Sequence, residues 1–240
     1  MSEFDFERVF DADYLYFFEE ILTPERTADD VEKIVSLLQL EPGAAILDCP
    51  CGYGRVANSL AERGFNVTGL DASELFLSRG RTDAATRGVE VEYVHGDMRR
   101  LPWKGRFDGL INWFTSFGYF SDEQNKAVLR EFYDALAPGG TLVLETLNIV
   151  RILLQLRPQM IIERNDDLMV DKIEVDIEQA RTITERIMVR GGTTRKTRFV
   201  VRWFNVPELR DWLLEAGFEN VRTPGLTAET RLVLAADRPS

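Results

Sequence analysis

The chain has 240 residues, 45% hydrophobic and 29% charged, which excludes a disordered chain, a collagen-like repeat or a long coiled coil. Its 40 acidic residues outnumber 29 basic ones, and the net charge of −11 repels phosphate backbones and anionic membranes, so neither nucleic acid nor membrane is an expected partner. No apolar run approaches the roughly 20 residues that span a bilayer, and the N-terminal MSEFDFERVF is too acidic for an export signal, so a cytoplasmic location is expected. Cys49 and Cys51, with a single histidine in the chain, are too few for a structural zinc site; they read as reduced, packed thiols, and no metal is expected. The basic run from Arg186 to Arg202 reads as a solvated hairpin.

Residues 1–43 read as an N-terminal helical cap. Within it, 27–40 place Val31, Ile34, Val35 and Leu38 on one helical face, with Thr27 and Asp30 as a capping box and Glu41-Pro42-Gly43 as the stop. Residues 44–240 then form one α/β domain. Strands are expected at 44–48, 65–71, 89–95, 107–113 and 141–147, with helices at 53–63, 73–87 and 121–137, the last opened by a Ser121/Gln124 capping box. Such alternation predicts a parallel sheet covered on both faces. After Leu147 the rhythm breaks. A short apolar helix at 149–156 leads into an insertion, 148–205 in all, whose residues from Met160 to Phe204 alternate as about four antiparallel strands with a Gly191-Gly192 hairpin turn. A helix at 207–216 and strands at 218–222 and 231–236 follow. The connection between those strands is too short for a crossover, so they pair antiparallel at the sheet edge.

In an open parallel sheet, ligands bind at the carboxyl ends of the strands near the switch point. Those ends carry Asp48-Cys-Pro-Cys-Gly-Tyr-Gly54, Asp71-Ala72, Gly96-Asp97-Met98 and Trp113–Tyr119. Gly52 and Gly54 permit close backbone approach, and the helix that follows favours negative charge at its start. An acid ending strand two can accept from both ribose hydroxyls, and one after strand three can accept from an adenine amino group. The pattern describes an adenosine site. GYGRVA (52–57) also fits a dinucleotide fingerprint, but the antiparallel ending and the lack of a Tyr-x-x-x-Lys dyad speak against a nicotinamide oxidoreductase.

ILDCPCGYGR (46–55), VTGLDAS (67–73), HGDMRRLPW (95–103), FDGLINWFTSFGYF (107–120) and LAPGGTLVLE (136–145) follow in an order and spacing that resemble the class I S-adenosylmethionine-dependent methyltransferases. The resemblance implies a Rossmann-like sheet, parallel with one antiparallel edge strand, in 44–240, and S-adenosylmethionine as cofactor. It departs at Pro50, where the family usually has its first loop glycine and where proline forbids a positive φ. PERT (24–27) and TSFGY (115–119) extend the likeness to glycine N-methyltransferases and sugar N,N-dimethyltransferases. By that resemblance the cofactor site comprises Tyr14, Arg26, Asp48, Pro50, Cys51, Gly52, Gly54, Asp71, Ala72, Asp97, Met98 and Trp113. Arg26 would pair with the cofactor carboxylate, against a plainer reading as a surface partner of Glu25 or Asp29.

No metal constellation and no Asn/Asp-Pro-Pro-Tyr/Phe tetrapeptide is present, so the expected methyl acceptor is a small molecule. Tyr14, Tyr16, Phe17, Phe18, the Tyr119 loop and the insertion are candidate walls, and Tyr119 is the candidate catalytic residue. His95 should lie by the adenine and not by the methyl group. A non-methylating cyclase or binding module on the same scaffold is the alternative. Ile173, Val175, Ile177, Ile183 and Ile187 suggest an apolar face on the insertion, so a homodimer is expected. In it the insertion also walls the pocket, and Glu174, Asp176 and Glu178 face the Arg190–Arg202 patch.

Overall fold

Three helices precede the first strand: α1 (Phe6–Val9), α2 (Ala12–Phe18) and α3 (Pro24–Leu38). The computed structural model describes residues 4–154, 159–224 and 231–240. Asp11 caps α2, accepting from the amides of Asp13 and Tyr14 at 3.0 Å. Thr23 caps α3, one turn earlier than the expected Thr27/Asp30 box. Pro24 explains the difference: its φ suits the first helical position and it has no amide to leave unsatisfied. Thr27 and Asp30 therefore lie inside the helix, buried.

The main sheet is built from β1 (Ala45–Asp48), β2 (Asn66–Asp71), β3 (Val91–His95), β4 (Phe107–Asn112) and β5 (Leu136–Leu147), all parallel. Helices α4 (Arg55–Glu62), α5 (Glu74–Arg87) and α6 (Asp122–Ala135) form the crossovers. With β10 (Glu219–Arg222) and β11 (Arg231–Asp237), the described strands stand in the order β10-β11-β5-β4-β1-β2-β3. The antiparallel strand, β11, lies one place in from the edge, between β5 and β10. Chain progression reverses between β1 and β4, which puts the switch point there.

Each face of the sheet buries its own apolar layer. Val31, Ile34 and Leu38 of α3 with Val56 and Leu60 of α4 pack on Ile46, Ile111 and Val143. On the other face, Val128, Leu129 and Phe132 of α6 join Leu209 and Leu213 of α8 (Val206–Glu215) against Leu47, Leu110 and Leu142. Ile46 and Leu47, adjacent in β1, serve opposite layers, as strand pleating requires. Phe132 is fully buried, and truncating such a ring costs about 3–5 kcal/mol.

After β5 comes α7 (Ile149–Leu154); the expected helix ran to 156, and residues 155–156 lie outside the described ones. The insertion is a second, antiparallel sheet of β6 (Gln159–Arg164), β7 (Asp167–Asp176), β8 (Arg181–Arg190) and β9 (Thr193–Arg202). Its inner face packs on the cap: Ile162, Met169 and Met188 meet Tyr14, Phe17 and Phe18. The expected isoleucine face is not formed. Ile173 and Val175 register with Thr184 and Thr182, whereas Ile183 and Ile187 register with Glu174 and Val170 on the other face, and Ile177 is exposed. Antiparallel register couples odd positions of β7 to even positions of β8, so the two isoleucine sets fall on opposite sides.

The basic run is also not a solvated hairpin. Arg186 is 4% exposed and forms two 2.7 Å bonds to Asp171. Arg190 and Arg195 pair with Asp13, and Arg195 with Asp11, at the start of α2. Arg202 pairs with Asp122 and Glu208. Among the described residues these acids, and not Glu174, Asp176 or Glu178, answer the arginines: the cap brings Asp11 and Asp13, the neighbouring strand Asp171, and helices α6 and α8 Asp122 and Glu208.

Candidate active site

A cleft with an empty volume of about 1060 Å³ opens at the carboxyl ends of β1, β2, β3 and β4, roofed by the cap. Strand β1 delivers Asp48 into a turn whose Gly52 and Gly54 have φ of +56° and +80°. At Gly54 sterics are decisive as well: a Cβ would lie 1.9 Å from the Tyr93 hydroxyl, which donates to Asn58 Oδ1 at 2.7 Å. Asp71, at the end of β2, holds this turn, since its Oδ2 accepts from the Gly52 amide at 2.8 Å. Its Oδ1 accepts from the Ser73 amide at 2.8 Å, and Ser73 in turn caps α5. Burial raises the Asp71 carboxyl, and backbone amides of Ser73, Gly52 and Ala72 pull against that rise. Asp48 is pushed up to about 7 by burial, with the Arg55 guanidinium opposing, and its Oδ2 is buried without a hydrogen-bond partner.

Beyond β3, Asp97 grips Arg99 through both carboxylate oxygens, with Nε at 2.9 Å and Nη2 at 2.7 Å from Oδ2. Burial alone would raise this carboxyl; the Arg99 bonds outweigh it and hold it below the ordinary range. Arg99 lies over the Phe120 ring at 4.6 Å. Met98 is buried beside Asn112. His95 is exposed, its Nε2 at 2.9 Å from the Ala72 carbonyl, and it lines no part of the cleft.

The loop after β4 supplies the far wall. Phe114 and Thr115 are both left-handed, with φ of +60° and +57°. Gly118 has no room for a side chain, since a Cβ would sit 2.4 Å from the Arg202 carbonyl, and its own carbonyl accepts from the Arg202 amide at 2.7 Å. The insertion thereby anchors the loop that carries Tyr119. The Tyr119 phenol is pushed up to about 12 by burial, with Arg186 opposing. Its ring is 4.7 Å from Phe4 and 5.7 Å from Phe10. Tyr14 stacks on Phe18 at 4.1 Å, and burial raises its phenol too.

The fold brings most of the expected residues together: Tyr14, Asp48, Pro50, Cys51, Gly52, Asp71, Ala72, Asp97, Met98, Trp113 and Tyr119 all line the cleft. Both cysteines are free and buried, which pushes their thiols up, away from reactivity. Gly54 sits behind the lining, shaping it. Arg26 stands off the cleft wall, its guanidinium 5.3 Å from the ring centre of Phe114, which does line it. Arg26 pairs with neither Glu25 nor Asp29, nor with another carboxylate among the described residues. Sequence reading missed Arg55, a buried wall residue paired to Asp30 at 2.8 Å. It also missed Glu145, which accepts from the Phe114 amide at 3.0 Å. An acid on the apolar face of α3 was the available signal for Arg55, because a buried carboxylate needs a cation.

Residues 46–140 match the family model described as a methyltransferase domain. Over those residues the chain is similar to S-adenosylmethionine-dependent methyltransferases. It is 30% identical over 131 residues to a glycine/sarcosine N-methyltransferase of Aphanothece halophytica, a match covering 53% of this chain and 49% of that protein. It is 29% identical over 169 residues to a carboxy-S-adenosyl-L-methionine synthase of Chromohalobacter salexigens, covering 65% and 59%. The chain thus spans about half the length of the curated relatives it matches. The structure of an S-adenosylmethionine-dependent methyltransferase from Clostridium acetobutylicum superposes with a TM-score of 0.76, covering 95% of this chain and 98% of that one at 14% identity. At that identity the likeness establishes the fold. The sheet with its inserted antiparallel strand is the class I methyltransferase sheet, here with an added antiparallel sheet. Among the described residues no helix is long and apolar enough to cross a membrane.

Proposed function

We propose that this chain binds S-adenosylmethionine in the cleft and methylates a small-molecule acceptor held at the cleft's aromatic end. The observation that carries this is Asp48 Oδ2, buried without a partner in the wall that also holds the Gly52 turn and the strand-end acids Asp71 and Asp97. An orphaned buried carboxylate oxygen fits a ligand bearing both a sulfonium and an ammonium. Nothing meets a Cβ built at Gly52 within 4 Å, so the turn leaves room for a ligand chain.

In this reading Asp71 receives the ribose hydroxyls with the lone pairs its backbone amide bonds leave free. Asp97 and Met98 take the adenine. Asp48 and the backbone near Trp113 face the ammonium, and Arg26, beside Phe114 and without an ion pair among the described residues, takes the carboxylate. When bound, the cofactor supplies a methyl group activated by its positive sulfur, so an acceptor lone pair displaces the thioether in line. What remains for the protein is to orient the acceptor and exclude water. Phe4, Phe10, Tyr14 and Tyr119 form that dry end. With its phenol at about 12, Tyr119 stays protonated near neutrality, so it orients the acceptor by hydrogen bonding instead of removing a proton.

The test is incubation with S-adenosylmethionine and a panel of amines, phenols and carboxylates, assayed for S-adenosylhomocysteine and a methylated acceptor. Loss of cofactor without S-adenosylhomocysteine would instead favour chemistry on the cofactor itself, the reading that the carboxy-S-adenosyl-L-methionine synthase relative supports. A homodimer in the cytoplasm belongs to the same proposal. The outer face of the second sheet, with Ile161 55% exposed, would be covered by a second copy. Light scattering at micromolar concentration should give twice the chain mass, and a monomer refutes the dimer.

A further inference from the structure

Phe114 and Thr115 are non-glycine residues with consecutive left-handed backbones. Side chains disfavour that conformation, and it persists only where the surroundings impose it. Here one buried carboxylate bonds to both residues, and the Ser116 hydroxyl donates to the Trp113 carbonyl at 2.8 Å across the same turn. Glu145, on β5, is 0% exposed. Its Oε2 accepts from the Phe114 amide at 3.0 Å and its Oε1 from the Thr115 hydroxyl at 3.4 Å. Arg231 Nη1 reaches Glu145 Oε2 at 3.1 Å and Asp30 Oδ1 at 2.9 Å, while Asp30 Oδ2 lies 2.8 Å from Arg55 Nη2. The Arg55 guanidinium then returns to the Phe114 ring at 5.4 Å. This line of charges closes on the residue whose backbone it holds.

A buried charge chain is a poor device for stability alone, because apolar isosteres serve as well or better. Glycines would also adopt this turn without any carboxylate. What glycine cannot provide is the Phe114 ring in the cleft wall, with Arg26 and Arg55 gathered on it. We propose that Glu145 is a positioning residue. It fixes the Trp113–Ser116 turn in the one backbone shape that sets Phe114, and the cations around it, against the methionine end of the cofactor. This rests on the reading that the cleft takes S-adenosylmethionine.

The test uses two double variants, each removing Glu145 and Arg231 together so that neither strands the other, while buried Asp30 keeps Arg55 as its cation in both. E145L/R231M deletes the acceptor, whereas E145Q/R231M keeps an amide oxygen for the Phe114 amide and a donor for Thr115. Both should melt close to the parent. In the unliganded proteins, amide exchange across 113–118 should quicken about tenfold or more in E145L/R231M, with β4 and β5 unchanged. Calorimetry with S-adenosylhomocysteine should show its affinity down about tenfold or more, while E145Q/R231M stays within about threefold of the parent. Parent-like exchange and affinity in E145L/R231M overturn the proposal. Equal losses in both variants, tracking melting temperature, reduce Glu145 to a structural group and overturn it too. Should E145L/R231M not fold, E145D keeps the charge but shortens the reach, with the same expected losses and the same refutation. A parent that does not bind S-adenosylhomocysteine refutes the cofactor reading itself, a result separable from the exchange measurement.

Discussion

Replacing Asp71 by asparagine probes the turn and the ligand together. The carboxylate accepts two backbone bonds of 2.8 Å, from Gly52 and Ser73, in a residue only 8% exposed. Asparagine keeps one acceptor oxygen and turns an NH2 group toward the other amide. One charge-assisted bond is lost and one buried donor stranded, a loss of about 1.5–3 kcal/mol. Burial already penalises the ionised carboxyl, so the neutral amide recovers part of this and the lower half of the range is expected. At about 2–4 °C per kcal/mol for a chain of this size, the melting temperature should fall by about 3–9 °C. Cofactor affinity should fall further, about ten- to a hundredfold, since the ribose hydroxyls lose a charged acceptor. Scanning calorimetry of the unliganded protein and titration with S-adenosylmethionine separate the two effects. A variant that melts and binds like the parent refutes both the hydrogen-bond argument and the ribose assignment.

Gly54→Ala should destabilise by about 2–4 kcal/mol, combining an unfavourable positive φ with displacement of Tyr93 from Asn58, and chemical denaturation would measure it. Asp48 predicts opposite pH trends for stability and binding. With its folded value near 7 and its unfolded value near 4, the native state holds a proton that the unfolded chain has released. Its contribution therefore lowers stability as pH rises across that window, whereas affinity for the cationic cofactor should rise by up to about tenfold per unit up to pH 7; flat affinity between pH 6 and 8 contradicts the role given to Asp48. Arg26→Ala should weaken cofactor binding with little change in melting temperature, because Arg26 has no described ion pair to lose. Tyr119→Phe should lower turnover while leaving cofactor affinity nearly intact; the reverse split moves Tyr119 into the cofactor shell.

Asp48 and Asp71 were legible in the sequence because each closes a strand, and Asp97 because it follows the third strand, the order of strands and helices fixing where those ends meet. Asp48, Asp71 and Asp97 accordingly meet in one cleft. Arg55 was legible only through the acid on the apolar face of α3, and Glu145 was not legible, because its partner Arg231 is distant in the chain. Arg231 lies 201 residues from Asp30 and 86 from Glu145, and only the insertion of β11 beside β5 brings them together. The second sheet failed differently. Alternation showed that 160–204 is strand, but the parity facing inward depends on register, and the buried positions of β8 are Thr182, Thr184, Arg186 and Met188 instead of its isoleucines. Asp11 and Asp13, which cap and lead α2, could not be foreseen as partners of Arg190 and Arg195, since that pairing depends on how the cap crosses the sheet.

The proposed reaction moves a methyl group from S-adenosylmethionine to a small molecule held in this cleft. Cofactor carrying an isotopically labelled methyl group, incubated with the protein and the acceptor panel, tests it most directly by mass spectrometry. Label should appear on one acceptor class in step with S-adenosylhomocysteine, and Asp71→Asn should suppress both. Tight cofactor binding with no label on any acceptor, and no S-adenosylhomocysteine formed, would contradict the account.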